Sequence, residues 1–169
     1  MNNFRLQIPT DIRFGRDRLT ELPEVLGTYG KNVLLVYGGG SIKRSGLYNR
    51  VLTLLNKHGF TFIELAGIEP NPRIDSVRTV ILAVGGGSVV DASKVMAAGA
   101  FYDGDAWDLV KDSSLIGKAI PIVDILTLAA TGTEMNRGAV ISNMVTNEKL
   151  GTGGWELIPR ASFLDPTLT

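Results

Sequence analysis

Val80-Ile81-Leu82-Ala83-Val84-Gly85-Gly86-Gly87-Ser88 is a short apolar run that ends in three glycines and a serine, and the chain contains the pattern twice. The other copy is Val33-Leu34-Leu35-Val36-Tyr37-Gly38-Gly39-Gly40-Ser41. A stretch compatible with a helix follows each one, so each reads as a strand, a glycine turn and a helix N-terminus whose first N–H groups have no partner inside the helix. Glycine permits the sharp turn and lets a phosphate approach backbone that a Cβ would shield. Neither copy has the spacing of the common dinucleotide fingerprint; position between strand and helix is what marks each as a phosphate seat. Two such seats in one chain point to a ligand with more than one phosphate, such as a dinucleotide.

Outward from these runs, strands alternate with helical stretches. Phe4 to Ile8 and Ile12 to Phe14 read as a strand pair, and Leu19, Leu22, Val25 and Leu26 recur at helical spacing before Gly30. Leu47, Val51, Leu54 and Leu55 mark the stripe of a second helix, which Gly59 ends before a strand from Thr61 to Leu65. Pro70-Asn71-Pro72 is a rigid turn, and residues 73–78 leave room for barely two helical turns, a tight crossover near the minimum for parallel strands. A helix from Ser88 to about Ala100, a helical piece around Trp107 to Val110 and a buried strand from Ile120 to Leu128 follow. Ala139 to Val145 and Lys149 to Thr152 read as a hairpin, and Ala161 to Leu164 as a last strand. The expectation is an α/β fold: a Rossmann-like, doubly wound, mainly parallel sheet with a C-terminal β-hairpin, in one domain over residues 1–169.

Composition removes several function classes. Lysine plus arginine equal aspartate plus glutamate, 17 against 17, so no global field draws the chain to nucleic acid or to anionic lipid. No apolar run reaches the roughly 18 residues of a membrane span, and Met1-Asn2-Asn3-Phe4-Arg5 lacks a signal-peptide core, which together read as a cytoplasmic chain. Without cysteine there is no disulfide framework, thiolate metal site or cysteine nucleophile.

Each chemical candidate has an ordinary alternative. Ser88 and Asp91 have capping-box spacing, as do Thr131 and Glu134, so helix initiation competes with ligand contact at both places. Thr127 and Thr131 stand where the strand ending near Leu128 meets the sheet's carboxyl edge. Lys149 reads as a solvated lysine, and His58, the single histidine, as a cation at a helix C-terminus. Asp103, Asp105 and Asp108 lack the remaining ligands of a calcium loop and fit capping better. Trp107 and Trp155 fit packing better than stacking on a nucleic acid, since no basic groove accompanies them.

These segments resemble the iron-containing, or group III, alcohol dehydrogenases, in particular their NADP-dependent butanol dehydrogenase and aldehyde reductase branch. The resemblance rests on Tyr37-Gly38-Gly39-Gly40-Ser41-Ile42-Lys43, Gly67-Ile68-Glu69-Pro70-Asn71-Pro72-Arg73 and Leu82-Ala83-Val84-Gly85-Gly86-Gly87-Ser88. Tyr102-Asp103-Gly104-Asp105-Ala106-Trp107-Asp108-Leu109, Ala130-Thr131-Gly132-Thr133-Glu134-Met135, Ile141-Ser142-Asn143 and Phe163-Leu164-Asp165-Pro166 extend it in the same order.

The resemblance implies an oxidoreductase that moves hydride between a primary alcohol or aldehyde and nicotinamide, with the cofactor on an N-terminal Rossmann-like domain. Gly38, Gly39, Gly40 and Ser41 would lie by the adenosine ribose, and Gly86, Gly87 and Ser88 by the pyrophosphate. Asn71, Thr127, Thr131 and Lys149 resemble cofactor-contacting positions, and Asp91 one near the nicotinamide. Where NAD-linked members carry an aspartate, this chain has Gly38, with Lys43 nearby, so the expected cofactor is NADP over NAD.

The family also carries an all-helical domain that supplies an aspartate and three histidines to iron or zinc. The chain ends before that domain would begin, and the crossover near 78–79 is about a dozen residues shorter than in family members. The resulting expectation is a truncated cofactor-binding half with no metal ligands and no catalytic residue of its own. It would be inactive alone, reaching its alcohol or aldehyde only through the helical domain, with a homodimer and non-specific association through exposed Leu and Val both open as assemblies. The competing expectations are a nucleotide-binding module without chemistry, or a degenerate gene product, and an interaction domain built on a face bared by truncation.

Overall fold

A computed structural model describes residues 7–67 and 79–168. In chain order it has β1 (Asp11–Phe14), a 3₁₀ turn (Arg18–Glu21), α1 (Leu22–Gly27), β2 (Asn32–Tyr37), α2 (Ser41–Arg44), α3 (Leu47–Lys57) and β3 (Thr61–Ala66). Then come β4 (Thr79–Gly85), α4 (Gly87–Gly99), α5 (Ala106–Lys111), β5 (Ile122–Leu126), β6 (Gly138–Asn143), β7 (Glu148–Gly153) and β8 (Ala161–Leu164).

Six strands form one parallel sheet in the order β1-β8-β5-β4-β2-β3, and β6 and β7 form a separate antiparallel hairpin. Every residue of β4 and β5 is buried, which is why these runs are continuously apolar rather than alternating: helices cover both faces. Successive residues of β2 serve opposite cores. Val33 and Leu35 pack with Leu22 and Leu26 of α1 and with Val51 and Leu55 of α3. Leu34 and Val36 pack with Val90 and Ala97 of α4.

Of the strand pair expected between Phe4 to Ile8 and Ile12 to Phe14, residues 4–6 lie outside the described residues, and the second strand has a partner of its own. β1 runs parallel to β8, with Asp11 opposite Ala161 and Phe14 opposite Leu164. The last strand of the chain lies beside β5 and offers a free edge, and β1 closes it. The helix expected from Leu19 is divided, because Pro23 starts α1 while Arg18–Glu21 coils as a tighter turn. The turn at Pro70 to Pro72 and the shortened crossover lie outside the described residues.

The structure also decides between the capping alternatives that the sequence left open. α4 starts from Gly86 with no side-chain cap, so Ser88 and Asp91 are both helical residues and neither initiates the helix. No helix follows Thr131 and Glu134, where the chain turns into β6. Asp105 does cap: its carboxylate accepts the Trp107 N–H of α5 at 2.8 Å. Among the described residues no helix is long and apolar enough to cross a membrane.

Candidate dinucleotide cleft

Topology selects the place where a ligand can enter. The connection after β2 carries α3 on one face of the sheet, and the connection after β4 carries α4 on the other, so the chain reverses direction between these adjacent strands. Crevices open at such switch points, beyond the strands' carboxyl ends. Tyr37 is level with Val84 and Gly85 with Leu126, which brings the turns after β2, β4 and β5 to one edge.

The glycines there have separate duties. A Cβ on Gly85 would fall 2.5 Å from Cγ2 of Val89, and one on Gly38 would fall 3.3 Å from the same atom. Val89, in the first turn of α4, is therefore wedged between the ends of β2 and β4, and both glycines make room for it. Gly40 holds φ at +116°, a conformation that side chains resist. At the head of α4 the N–H groups of Val89 and Val90 turn back to the Gly86 carbonyl, at 3.0 and 3.3 Å. Gly87 and Ser88 lie between that acceptor and the first donor, Val89, and their N–H groups face outward with the positive end of the helix dipole.

Beside this helix end lies a cleft of about 560 Å³, lined by Gly87, Ser88 and Asp91 of α4, by Thr131 and Asn136 of the following loop, and by Val140 and Lys149 of the hairpin. The hairpin is held against the helices by Ala139, Ile141 and Leu150, which pack with Val95, Ala106 and Val110. The Thr152 hydroxyl adds a bond to the Leu109 carbonyl at 2.7 Å.

A buried polar network stands behind the cleft wall. Asp91 accepts the Thr133 hydroxyl with one oxygen and the Val140 N–H, at 2.9 Å, with the other. Lys94, with no exposed surface, donates to Thr133 Oγ1, the Asn136 carbonyl, Asn136 Oδ1 and the Gly138 carbonyl at 2.8–3.1 Å. Burial pushes its ammonium down to about 8, against the pull of Asp91, Asp124 and Glu134. Below lies Asp124 of β5, whose carboxyl burial pushes up to about 8, with Ser162 Oγ 2.6 Å from Oδ2.

On the far side of the switch point, the Tyr37 hydroxyl donates to Glu64 at 2.8 Å and the Tyr48 hydroxyl to both oxygens of the same carboxylate, at 2.9 and 3.1 Å. Burial, followed by the Glu64 hydrogen bond, raises Tyr37 above the usual phenol range. Lys43 Nζ stands over both rings, 5.2 Å from Tyr37 and 4.9 Å from Tyr48.

Of the residues picked from sequence, Gly87, Ser88, Asp91, Thr131 and Lys149 meet around one cleft. Gly86 caps the helix beside it, and the Thr127 N–H is spent on the Gly85 carbonyl at 3.0 Å, at the base of the turn. Gly38 to Ser41 lie across the switch point, and Asn71 lies outside the described residues. Sequence reading missed Lys94, Thr133 and Asn136. A signal was available: Asp91 and Lys94 are the only charges from Gly85 to Tyr102, and an ionisable group in so apolar a helix requires a partner. Among the described residues no three histidines, cysteines or carboxylates gather as a metal site.

Comparison with known proteins places this arrangement. The family model described as iron-containing alcohol dehydrogenase matches residues 9–166. NADH-dependent butanol dehydrogenase A of Clostridium acetobutylicum is 51% identical over 180 aligned positions that take in the whole chain and 46% of the relative. NADPH-dependent aldehyde reductase YqhD of Escherichia coli is 40% identical, with the whole chain and 46% of that relative covered. The crystal structure of NADH-dependent butanol dehydrogenase A from Thermotoga maritima superposes with a TM-score of 0.88 at 44% identity, over 99% of this chain and 45% of that one. The chain spans about half the length of the curated relatives it matches. A match over nearly all its residues and a fold shared at a TM-score of 0.88 make the chain a member of the iron-containing alcohol dehydrogenase family.

Proposed function

We propose that this chain is the dinucleotide-holding half of an NAD(P)-dependent alcohol dehydrogenase or aldehyde reductase. The observation that carries the reading is the convergence of the N-terminus of α4, Thr131, Asn136 and Lys149 on one cleft on the α4 side of the switch point of a parallel sheet. A pyrophosphate fits the outward N–H groups of Gly87 and Ser88, where the dipole of a 13-residue helix favours an anion. A Cβ on Gly87 would stand 3.8 Å from Thr131 Oγ1, so the glycine leaves open the narrow approach between helix and loop. Lys149 supplies a cation on the opposite wall, Asp91 lies toward the nicotinamide, and Gly38 to Ser41, with Asn71 and Thr127, complete the set of contacts. When bound, the nicotinamide supplies the hydride. Among the described residues no donor set suits a catalytic metal, which needs about three protein ligands.

The ribose side favours NADP. Glu64, across the tyrosine pair from Lys43, is engaged by two phenol hydroxyls, while Lys43, which among the described residues lies over ring faces, is able to turn to a 2′-phosphate. A second reading, NAD, has the support of the relatives named for NADH at 49–54% identity.

Thermal unfolding with NADPH, NADH and inorganic phosphate tests both. A nucleotide at a hundred times its dissociation constant adds about 2.7 kcal/mol, a rise of several degrees. A larger rise with NADPH supports the NADP reading and a larger rise with NADH the alternative. A midpoint indifferent to both overturns the assignment.

A further inference from the structure

Lys94 is a buried charge that the proposed function leaves without a task. Its ammonium meets four oxygens with three N–H groups: Thr133 Oγ1 at 3.0 Å, the Asn136 carbonyl at 2.9 Å, Asn136 Oδ1 at 3.1 Å and the Gly138 carbonyl at 2.8 Å. Among the described residues it forms no direct ion pair; it reaches Asp91 through the Thr133 hydroxyl.

Two lines of hydrogen bonds run from it to the cleft. Along the first, Asn136 Oδ1 also accepts the Gly138 N–H at 2.9 Å and Nδ2 donates to the Thr131 carbonyl at 3.2 Å, so the amide can sit only one way round. Along the second, Thr133 fixes one oxygen of Asp91, and the other holds Val140 of the hairpin at 2.9 Å. Asp91, Thr131, Asn136, Gly138 and Val140 all line the cleft, and Lys94 stands behind them.

We propose that Lys94 is a positioning residue for the dinucleotide, pinning the loop through Asn136 and the hairpin through Thr133 and Asp91 so that the cleft wall is in place before the ligand arrives. This rests on the reading of the cleft as a dinucleotide site. The charge on Lys94 has a part in it. An ammonium has three donors for the oxygens around it and a neutral amine only two, so loss of the proton releases one of the loop contacts and withdraws a positive charge from behind a diphosphate site. The groups that face Lys94 are Asp91 on its own helix, Asp124 on β5 and Glu134 in the loop after β5. Burial lowers the ammonium to about 8, which puts its titration within reach of experiment.

The test is the dissociation constant of the tighter of NADPH and NADH, measured by nucleotide fluorescence from pH 7.5 to 9.5 on the chain and on Lys94→Met, Thr133→Val and Asp124→Asn. Affinity of the unsubstituted chain is expected to fall several-fold across this range, and that of Asp124→Asn to follow it. Lys94→Met is expected to bind several-fold more weakly at pH 7.5 with a flat profile. Should it fail to fold, Thr133→Val decides: it keeps the charge and the shape but severs the link to Asp91, and several-fold weaker binding is expected. A flat profile in the unsubstituted chain, a wild-type profile in Lys94→Met, unaltered affinity in Thr133→Val, or a profile flattened by Asp124→Asn instead overturns the positioning role while leaving the cofactor site standing. Binding of neither nucleotide overturns the cofactor reading itself, and the role of Lys94 with it.

Discussion

Ser162 Oγ has one proton and two oxygens to satisfy, Asp124 Oδ2 at 2.6 Å and the Glu134 carbonyl at 2.8 Å. A carbonyl can only accept, so both contacts are met when Asp124 is the neutral acid and donates to Ser162, which in turn donates to Glu134. Burial pushes the Asp124 carboxyl to about 8, which agrees with that arrangement. The unfolded chain releases this proton near pH 3.8 and the native one near 8, so the native state holds the extra proton between those values. The stability this group contributes is therefore complete below pH 4 and is lost as pH rises to about 8. Asp124→Asn copies the neutral acid, and its urea midpoint should fall less than that of the unsubstituted chain from pH 5 to 8. Parallel midpoints would place the titration elsewhere. Lys94 has the opposite sign: its native value is below its unfolded one, so stability rises with pH from about 8 to 10.5.

At the scale of elements, α4 is held by its first turn as much as by its length. Val89 fills the space that Gly38 and Gly85 leave, which fixes the helix N-terminus against two strand ends at once. Gly85→Ala puts a methyl 2.5 Å from Val89 Cγ2 and should cost about 1–3 kcal/mol in denaturant unfolding, while Gly85→Ala with Val89→Ala should recover part of that loss. Strictly additive losses would mean that the two side chains do not compete for the same space. The glycine turns were readable as turns because strand, glycine and helix follow one another in sequence. Which glycine serves packing was not, since that depends on Val89 meeting Gly38, just past the end of β2 and 47 positions before Gly85. The capping-box spacing of Ser88 and Asp91 left helix initiation and ligand contact both open for a related reason. Gly86 starts the helix, and the carboxylate is taken by Thr133, 42 residues away.

Over the whole molecule, the parallel order β5-β4-β2-β3 puts both glycine turns on one edge, and a dinucleotide long enough to lie along that edge would touch both. Amide hydrogen exchange with and without NADPH checks this: protection is expected together at 38–41, at 86–88 and in the hairpin around Val140. Protection at 86–88 alone would limit the ligand to the α4 side. The two outer strands differ from the interior ones. β1 and β3 are largely exposed, with Phe14 and Ile63 open to solvent, and the ion pairs of Arg13 with Asp11 and Glu21 place charge on the β1 edge. The amino-acid sequence by itself determined the alternation of strands and helices, the parallel sheet, the two glycine turns and the hairpin, because each is written in local period, glycine placement and apolar runs. Only the tertiary structure decided that β1 closes on β8, that Asp91 and Lys94 join the loop and hairpin into one cleft wall, and that Asp124 meets Ser162. Those contacts link residues 38 to 150 positions apart, and hydrogen bonds over such separations leave no periodic trace in a sequence.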